Sequence, residues 1–134
     1  MVGSIITLLA VAIGGALGSL GRVIVAEAVT RRFGAGFPYG TLVVNVTGAA
    51  AIGALAPVLL AQGPSPAQGF PTLLLIIGVL GSYTTVSSFS LQTLALIQER
   101  AWRGVLANVL GSVLCCLAAA WLAGLLVTLL LGGR

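Results

Sequence analysis

Apolar residues fill most of this chain, and charged or Pro/Gly-rich segments interrupt them in only a few places. No charged residue lies between Arg32 and Glu99 or between Arg103 and Arg134. Because a membrane-spanning helix needs about 20 mostly apolar residues, the longer run holds two spans and each flanking run holds one. The pattern predicts an all-α membrane protein with four transmembrane helices, at about residues 4–29, 39–60, 72–98 and 104–131, in a single domain over residues 1–134.

The connections between the spans carry most of the charge. Arginines occur in the first and third connections, predicted at about residues 31–38 and 99–103, whereas a Pro/Gly-rich turn at 62–71 carries none. Four spans place both termini on one side of the membrane. The positive-inside rule therefore predicts that the two arginine-bearing connections face the cytoplasm, with Arg134 on the other side.

Composition supports a membrane protein over a soluble one. Of the 134 residues, 59% are hydrophobic and 6% are charged, whereas about a quarter of the residues in soluble domains are charged. The isoelectric point of about 10.1 would suggest a nucleic-acid partner in a soluble chain. Here the arginines flank apolar spans, so topology and contact with lipid headgroups explain them and no nucleic-acid partner is expected.

The third span contains the most polar stretch at membrane depth, over residues 81–90. Glycine weakens a helix, and the hydroxyls of Thr84, Thr85, Ser87 and Ser88 compete for backbone hydrogen bonds. The stretch therefore predicts a local break whose free carbonyl groups could hold a cation, followed by a hydroxyl-lined helix face. A kinked helix with hydroxyls bonded to its own backbone is the alternative.

Polar residues also interrupt the second and fourth spans. Asn45 is either a helix–helix contact or an amide donor that lines a pore. Asn108, Ser112 and Cys116 recur every four residues, so they share one helical stripe, with the same two interpretations. Cys115 and Cys116 are adjacent and lie within an apolar predicted helix, which indicates packing residues rather than a disulfide or a metal site.

The chain has few groups for acid–base or covalent chemistry. It has no histidine, and its two carboxylates, Glu27 and Glu99, fall at span ends. Proton-coupled transport usually uses a titratable group within the membrane, and an enzyme needs a nucleophile and a base. Hydroxyls, amides, arginines and an aromatic ring remain, and this set is typical of a protein that handles anions rather than of an enzyme.

Three motifs resemble those of the Fluc/CrcB fluoride channel family. They read GGALGSLGR at 14–22, GTLVVNVTG at 40–48 and GVLGSYTTVSSFS at 78–90. The resemblance covers the full length. It implies a multi-pass protein of a bacterial-type inner membrane that forms an antiparallel dimer with fluoride pores along the interface.

The resemblance also implies roles for individual residues. Main-chain carbonyls of Gly81 and Thr84 would hold a structural sodium ion at the dimer centre, and Arg22 would lie at a vestibule. The family's span-three phenylalanines present ring edges to fluoride, and these edges are electropositive. The implied pore residues are Asn45, Thr85, Val86, Ser88, Phe89, Asn108 and Ser112.

This chain departs from the family pattern at three positions. Val86 stands where the first of two phenylalanines is usual, Gln92 where glutamate is common, and Asn108 where a tyrosine often occurs. The arginine bias favours insertion in one orientation, whereas an antiparallel homodimer needs subunits inserted both ways. We therefore expect either a heterodimer with an oppositely oriented homologue or, as the close alternative, a homodimer.

The sequence thus predicts a fluoride-selective channel that exports cytoplasmic fluoride passively and confers fluoride resistance. A small multidrug-type exporter is the first alternative, although that class usually has a carboxylate in its first span, where this chain has Arg22 ahead of Glu27. A non-conducting partner subunit of a heterodimeric channel is the second alternative, because Val86 lacks an aromatic edge.

Overall fold

The computed structural model describes residues 2–60 and 73–132, and nearly all of them are helical. The elements are α1 (Val2–Phe33), α2 (Tyr39–Leu60), a π-helix, π1 (Leu73–Leu80), a single turn, α3 (Gly81–Tyr83), α4 (Val86–Gln98) and α5 (Trp102–Gly132). Within the described residues four segments are long and apolar enough to cross a bilayer, and π1, α3 and α4 form the third of them. The predicted all-α fold with four membrane-spanning segments is confirmed. The predicted turn at 62–71, residue 72 and Arg134 lie outside the described residues.

The first helix is longer than the sequence predicts, and Arg31 and Arg32 lie in its last turn rather than in a loop. Cations near the carboxyl end of a helix interact favourably with the helix dipole. Arg31 Nη2 also donates to Glu27 Oε1 at 2.6 Å, one turn earlier. The helix ends where Gly34 takes a φ of +86°, a conformation that residues with a Cβ rarely adopt.

The connection between α4 and α5 is a tight helix stop. The Arg100 N–H donates to the Ile97 carbonyl at 3.0 Å, and the Ala101 N–H donates to the Leu96 carbonyl at 2.9 Å. This pair of bonds is a Schellman motif, with Arg100 rather than glycine in the left-handed position at a φ of 56°. The motif reverses the chain in three residues, so α5 returns beside α4.

Helix packing leaves much apolar surface on the outside. The helix α2 packs along α5, and α1 packs against π1, α2 and α3. Few apolar side chains are buried within the described residues; Val44 is completely enclosed, while Leu17 and Leu117 point outward like many others. An outward apolar surface is what a bilayer requires, since lipid replaces the core as the apolar environment.

One close approach sets the position of the third span against α2. A Cβ placed on Gly48 would collide with the methyl group of Thr84. A larger residue at position 48 would require the side chain of Thr84 to move. The approach brings the stretch between α3 and α4 beside the middle of α2.

Candidate functional site at the interruption of the third span

Two residues with extended backbone separate α3 from α4. Thr84 has φ −73° and ψ 159°, and Thr85 has φ −152° and ψ 125°. The Thr84 hydroxyl and the Thr84 N–H both donate to the Leu80 carbonyl at 3.0 Å. The segment before them, π1, is a helix type that is rare and often found at functional sites.

The backbone groups at this point find partners outside the helix. The Thr85 N–H donates to Asn45 Oδ1 at 2.8 Å, and the Ser88 N–H donates to Thr85 Oγ1 at 3.2 Å. In an uninterrupted helix these two amides would bond to the carbonyls of Gly81 and Thr84, four residues earlier. Those two carbonyls therefore lose their usual helical donors.

Hydroxyl groups gather at the first turn of α4. Thr85 caps this helix, and its Oγ1 lies 3.1 Å from Ser87 Oγ and 3.2 Å from Ser88 Oγ. Thr85 is buried, whereas Ser87 is exposed. The cluster places one enclosed hydroxyl in contact with two that reach toward the surface.

An open groove of about 450 Å³, which we call the central groove, runs past the interruption. It has no charged side chain in its lining. It brings together seven of the residues expected at the ion sites, from the second, third and fourth spans. Its lining consists of Asn45, Ala49, Ile52, Gly81, Thr84, Thr85, Val86, Phe89, Ser112, Val113 and Cys116.

A second groove, of about 640 Å³, lies on the other side of the hydroxyl cluster. We call it the arginine groove, because Arg22 lines it and makes no ion pair within residues 2–60 and 73–132. Gln92 also lines it, and the Gln92 Oε1 is enclosed with no hydrogen-bond partner in the described part of the chain. The full lining is Arg22, Val23, Ala26, Glu27, Thr30, Thr41, Ser87, Ser88 and Gln92.

Asn108 lies apart from both grooves. It is only 1% exposed. Its Nδ2 donates to Thr93 Oγ1 at 2.9 Å, and Thr93 Oγ1 donates to the Phe89 carbonyl at 2.7 Å. The stripe of Asn108, Ser112 and Cys116 thus divides: Ser112 and Cys116 reach the central groove, while Asn108 joins α5 to α4.

Two polar contacts at the site involve residues that the sequence did not single out. Thr93 mediates the link from Asn108 to Phe89, and its spacing of four from Phe89 is the only signal in the sequence. Thr47 Oγ1 lies 2.9 Å from the Tyr83 hydroxyl and joins α2 to α3. Neither the Asn108–Thr93 contact nor the Thr47–Tyr83 contact shows in helical spacing, because each joins residues on different helices.

A family model described as CrcB-like protein, Camphor Resistance (CrcB), matches residues 9–125. The chain belongs to this family. The match includes Arg22, the interruption and Ser112, so every residue of the two grooves lies within it. Membership in the CrcB family confirms the resemblance that the three motifs predicted.

Curated relatives of this CrcB-family chain carry a functional name. A protein of Solibacter usitatus, named fluoride-specific ion channel FluC, is 48% identical over 118 residues, which cover 88% of this chain and 95% of the relative. One of Opitutus terrae with the same name is 45% identical over 112 residues, or 84% of this chain and 85% of the relative. One of Bradyrhizobium diazoefficiens, named fluoride-specific ion channel FluC 2, is 45% identical over 111 residues, which cover 83% of this chain and 81% of the relative.

Proposed function

We propose that this chain is a subunit of a fluoride channel that lets cytoplasmic fluoride leave passively across a bacterial-type inner membrane. The CrcB family membership and the names of the relatives support fluoride as the permeating ion. The observation that carries the mechanism is the central groove, where neutral donors line a space at membrane depth without a carboxylate. A channel of this kind needs no catalysis.

The pore would follow the central groove. Fluoride holds its water strongly, so a narrow pore must replace that water with hydrogen-bond donors. The Asn45 amide and the Ser112 hydroxyl supply such donors, and the ring edge of Phe89 is electropositive. The Thr85 hydroxyl lines the groove beside them and donates to Ser88 Oγ. Val86 is 77% exposed and offers only methyl groups, so the aromatic contact rests on Phe89.

The arginine groove would be the vestibule. Arg22 raises the local concentration of anions, and the hydroxyls of Ser87 and Ser88 lie next to it. Because Ser88 contacts Thr85, an anion in the vestibule lies one hydroxyl away from the central groove.

The central groove also supports a dimer. Polar side chains and non-helical backbone at membrane depth are tolerated only where protein buries them or where they line a water-filled cavity. The groove is open in a single subunit, so a second subunit would cover it, antiparallel to the first. The arginines of the connections favour one orientation, which supports a heterodimer with an oppositely oriented homologue over a homodimer.

A sodium ion at the dimer centre is compatible with the interruption. The carbonyls of Gly81 and Thr84 lack their helical donors, because Thr85 and Ser88 direct their amides elsewhere. Freed carbonyls of an interrupted span are the usual ligands for sodium within a membrane. The ion would supply positive charge at the interface, and the broken third helix would supply its ligands.

Fluoride efflux from liposomes tests the proposal. Vesicles loaded with potassium fluoride and containing the purified chain should release fluoride when a potassium ionophore is added, as a fluoride electrode would record. Vesicles without protein, and vesicles loaded with chloride, are the controls. Fluoride release with the chain alone would support the homodimer, whereas release only after addition of a homologue would support the heterodimer. No release in either case would contradict the proposed channel.

A further inference from the structure

Asn45 makes two hydrogen bonds to a single residue of the interruption. Its Oδ1 accepts from the Thr85 N–H at 2.8 Å, and its Nδ2 donates to the Thr85 carbonyl at 2.9 Å. One amide side chain of α2 therefore satisfies both backbone groups of a residue 40 positions later. We refer to this pair of bonds as the Asn45 clamp.

The clamp solves a problem that the interruption creates. Thr85 is extended at membrane depth, so its N–H has no helical partner, and leaving that group unpaired there costs several kcal/mol. Thr85 is 7% exposed, so water has little access to it. The Asn45 amide takes the place of the missing partner of the N–H, adds a bond to the carbonyl, and makes the extended conformation of Thr85 tolerable.

The clamp also limits what Asn45 can offer an anion. An asparagine amide has two N–H donors and one carbonyl oxygen. The clamp uses one donor and the oxygen, which leaves a single N–H for the central groove. Asn45 therefore uses most of its hydrogen-bonding capacity on the backbone of Thr85.

We propose that Asn45 is a positioning residue for the cation site, beyond any contact with the permeating anion. By holding Thr85 extended, the clamp keeps the Thr85 N–H away from the Gly81 carbonyl. It also leaves the Thr85 hydroxyl to bond to the Ser88 N–H in place of the Thr84 carbonyl. Both carbonyls then remain available to sodium. This inference rests on the sodium site of the proposed function.

The test measures sodium dependence of stability in the absence of fluoride. The purified protein in detergent is unfolded thermally across a series of sodium chloride concentrations, with choline chloride keeping the ionic strength constant. The unmodified chain should be stabilised saturably by sodium. Asn45→Leu should raise the half-saturating sodium concentration by about tenfold, the effect expected for losing two hydrogen bonds that orient the ligands.

Thr47→Val is the matched control. It removes a contact between α2 and the third span two residues further along, at Tyr83 rather than Thr85. The half-saturating sodium concentration should change by less than about twofold, since within the described residues the Thr47 hydroxyl bonds only to Tyr83 and to the carbonyls of Val43 and Val44 on its own helix, and none of these is a proposed ligand. A shift as large as that of Asn45→Leu would overturn the proposal, because general loss of packing would then explain both.

Asn45→Asp provides a readout that packing alone would not change. A protonated carboxyl group can accept through one oxygen and donate through the other, so it can restore both bonds of the clamp, whereas a carboxylate cannot donate. The sodium requirement of Asn45→Asp should approach that of the unmodified chain as the pH falls from about 7 to about 4, near the ordinary pKa of aspartate. A requirement that stays as high as that of Asn45→Leu over the whole range would overturn the proposal.

Fluoride efflux separates this inference from the channel itself. If the unmodified chain conducts fluoride while sodium has the same effect on Asn45→Leu as on the unmodified chain, the clamp is rejected and the channel stands. If the chain does not conduct but the sodium titrations behave as expected, the clamp stands and the channel is rejected. A sodium titration that leaves the unmodified chain unaffected would reject the cation site and the clamp together.

Discussion

The central groove and the arginine groove meet at the hydroxyl cluster of α4, but they differ in chemistry. The central groove has an amide, hydroxyls and one aromatic ring, with no charged group in its lining. The arginine groove has the cation of Arg22, the amide of Gln92 and the carboxylate of Glu27, which pairs with Arg31. Thr85 lines the first and Ser88 the second, with their hydroxyls 3.2 Å apart.

Under the proposed function, this difference would separate the attraction of anions from their passage. A charge acts over several ångströms and draws anions of any kind, and salt screens it. Neutral donors act only at contact distance, where they can replace the water of a small, strongly hydrated ion. We therefore expect substitutions in the central groove to reduce the rate of passage strongly, and substitutions in the arginine groove to reduce it weakly and in a salt-dependent manner.

The largest effect is expected for Ser112→Ala in the central groove. A hydrogen bond to a charged group contributes about 1.5–3 kcal/mol, so losing it from the path of fluoride should slow efflux by about 10- to 100-fold. Liposome efflux measures the rate. Thr128→Val on the same helix is the control, because that hydroxyl bonds to the Gly124 carbonyl of its own helix and should leave the rate unchanged. Equal rates for Ser112→Ala and the unmodified chain would remove Ser112 from the pore.

Phe89→Ile should have the next largest effect. Pairs of aromatic rings contribute about 0.5–1.5 kcal/mol beyond their buried area, and if a ring edge facing an anion contributes a similar amount, its loss should reduce fluoride efflux by up to about tenfold. Phe89→Tyr keeps the ring and should retain most of the rate. If isoleucine and tyrosine at this position reduce efflux equally, the ring edge has no special role and the side chain acts only through its volume.

Arg22→Gln should reduce efflux by a few-fold at low ionic strength, and the reduction should disappear at high salt. Arg22→Lys keeps the positive charge and should behave like the unmodified chain at both salt concentrations. A reduction that persists at high salt would show that Arg22 acts through direct contact rather than through its field, and the distinction between the two grooves would weaken.

The smallest effect on efflux is expected for Asn108→Leu, because Asn108 lies outside both grooves. Its hydrogen bond to Thr93 joins α5 to α4, and such a bond in a membrane protein contributes about 0.6 kcal/mol on average. Thermal unfolding should therefore show a slight loss of stability, while efflux stays within about twofold. The loss of stability in the double variant Thr93→Val, Asn108→Leu should be smaller than the sum of the losses in the two single variants. A large loss of efflux would place Asn108 in the pore after all.

Much of the architecture follows from local properties of the sequence. Charge-free apolar runs determine where a chain can cross a bilayer, so the four spans follow from the positions of eight charged residues. The ends of the helices follow less closely from the charge pattern, since α1 continues through Arg31 and Arg32. The ion pair between Arg31 and Glu27 and the helix dipole favour the longer helix, and a hydropathy profile takes account of neither effect.

The candidate site shows where sequence reasoning stops. Spacing correctly predicts that Ser112 and Cys116 share a face of α5. It places Asn108 on the same face, but it does not reveal that the Asn108 amide donates to Thr93. Asn45 is recognisable as a polar residue in a span, but nothing near it in the sequence indicates a partner 40 residues away.

Four membrane-spanning segments, membership in the CrcB family and a polar stretch at 81–90 can all be read from residue order, because hydrophobicity and motif identity are local properties. The pairing of the polar groups depends on how the helices pack. Asn45 pairs with the backbone of Thr85 because the packing of α2 beside the third span brings the two together, with Gly48 next to Thr84. Hydrogen bonds act over about 3 Å, so their partners are chosen by helix packing rather than by position along the chain.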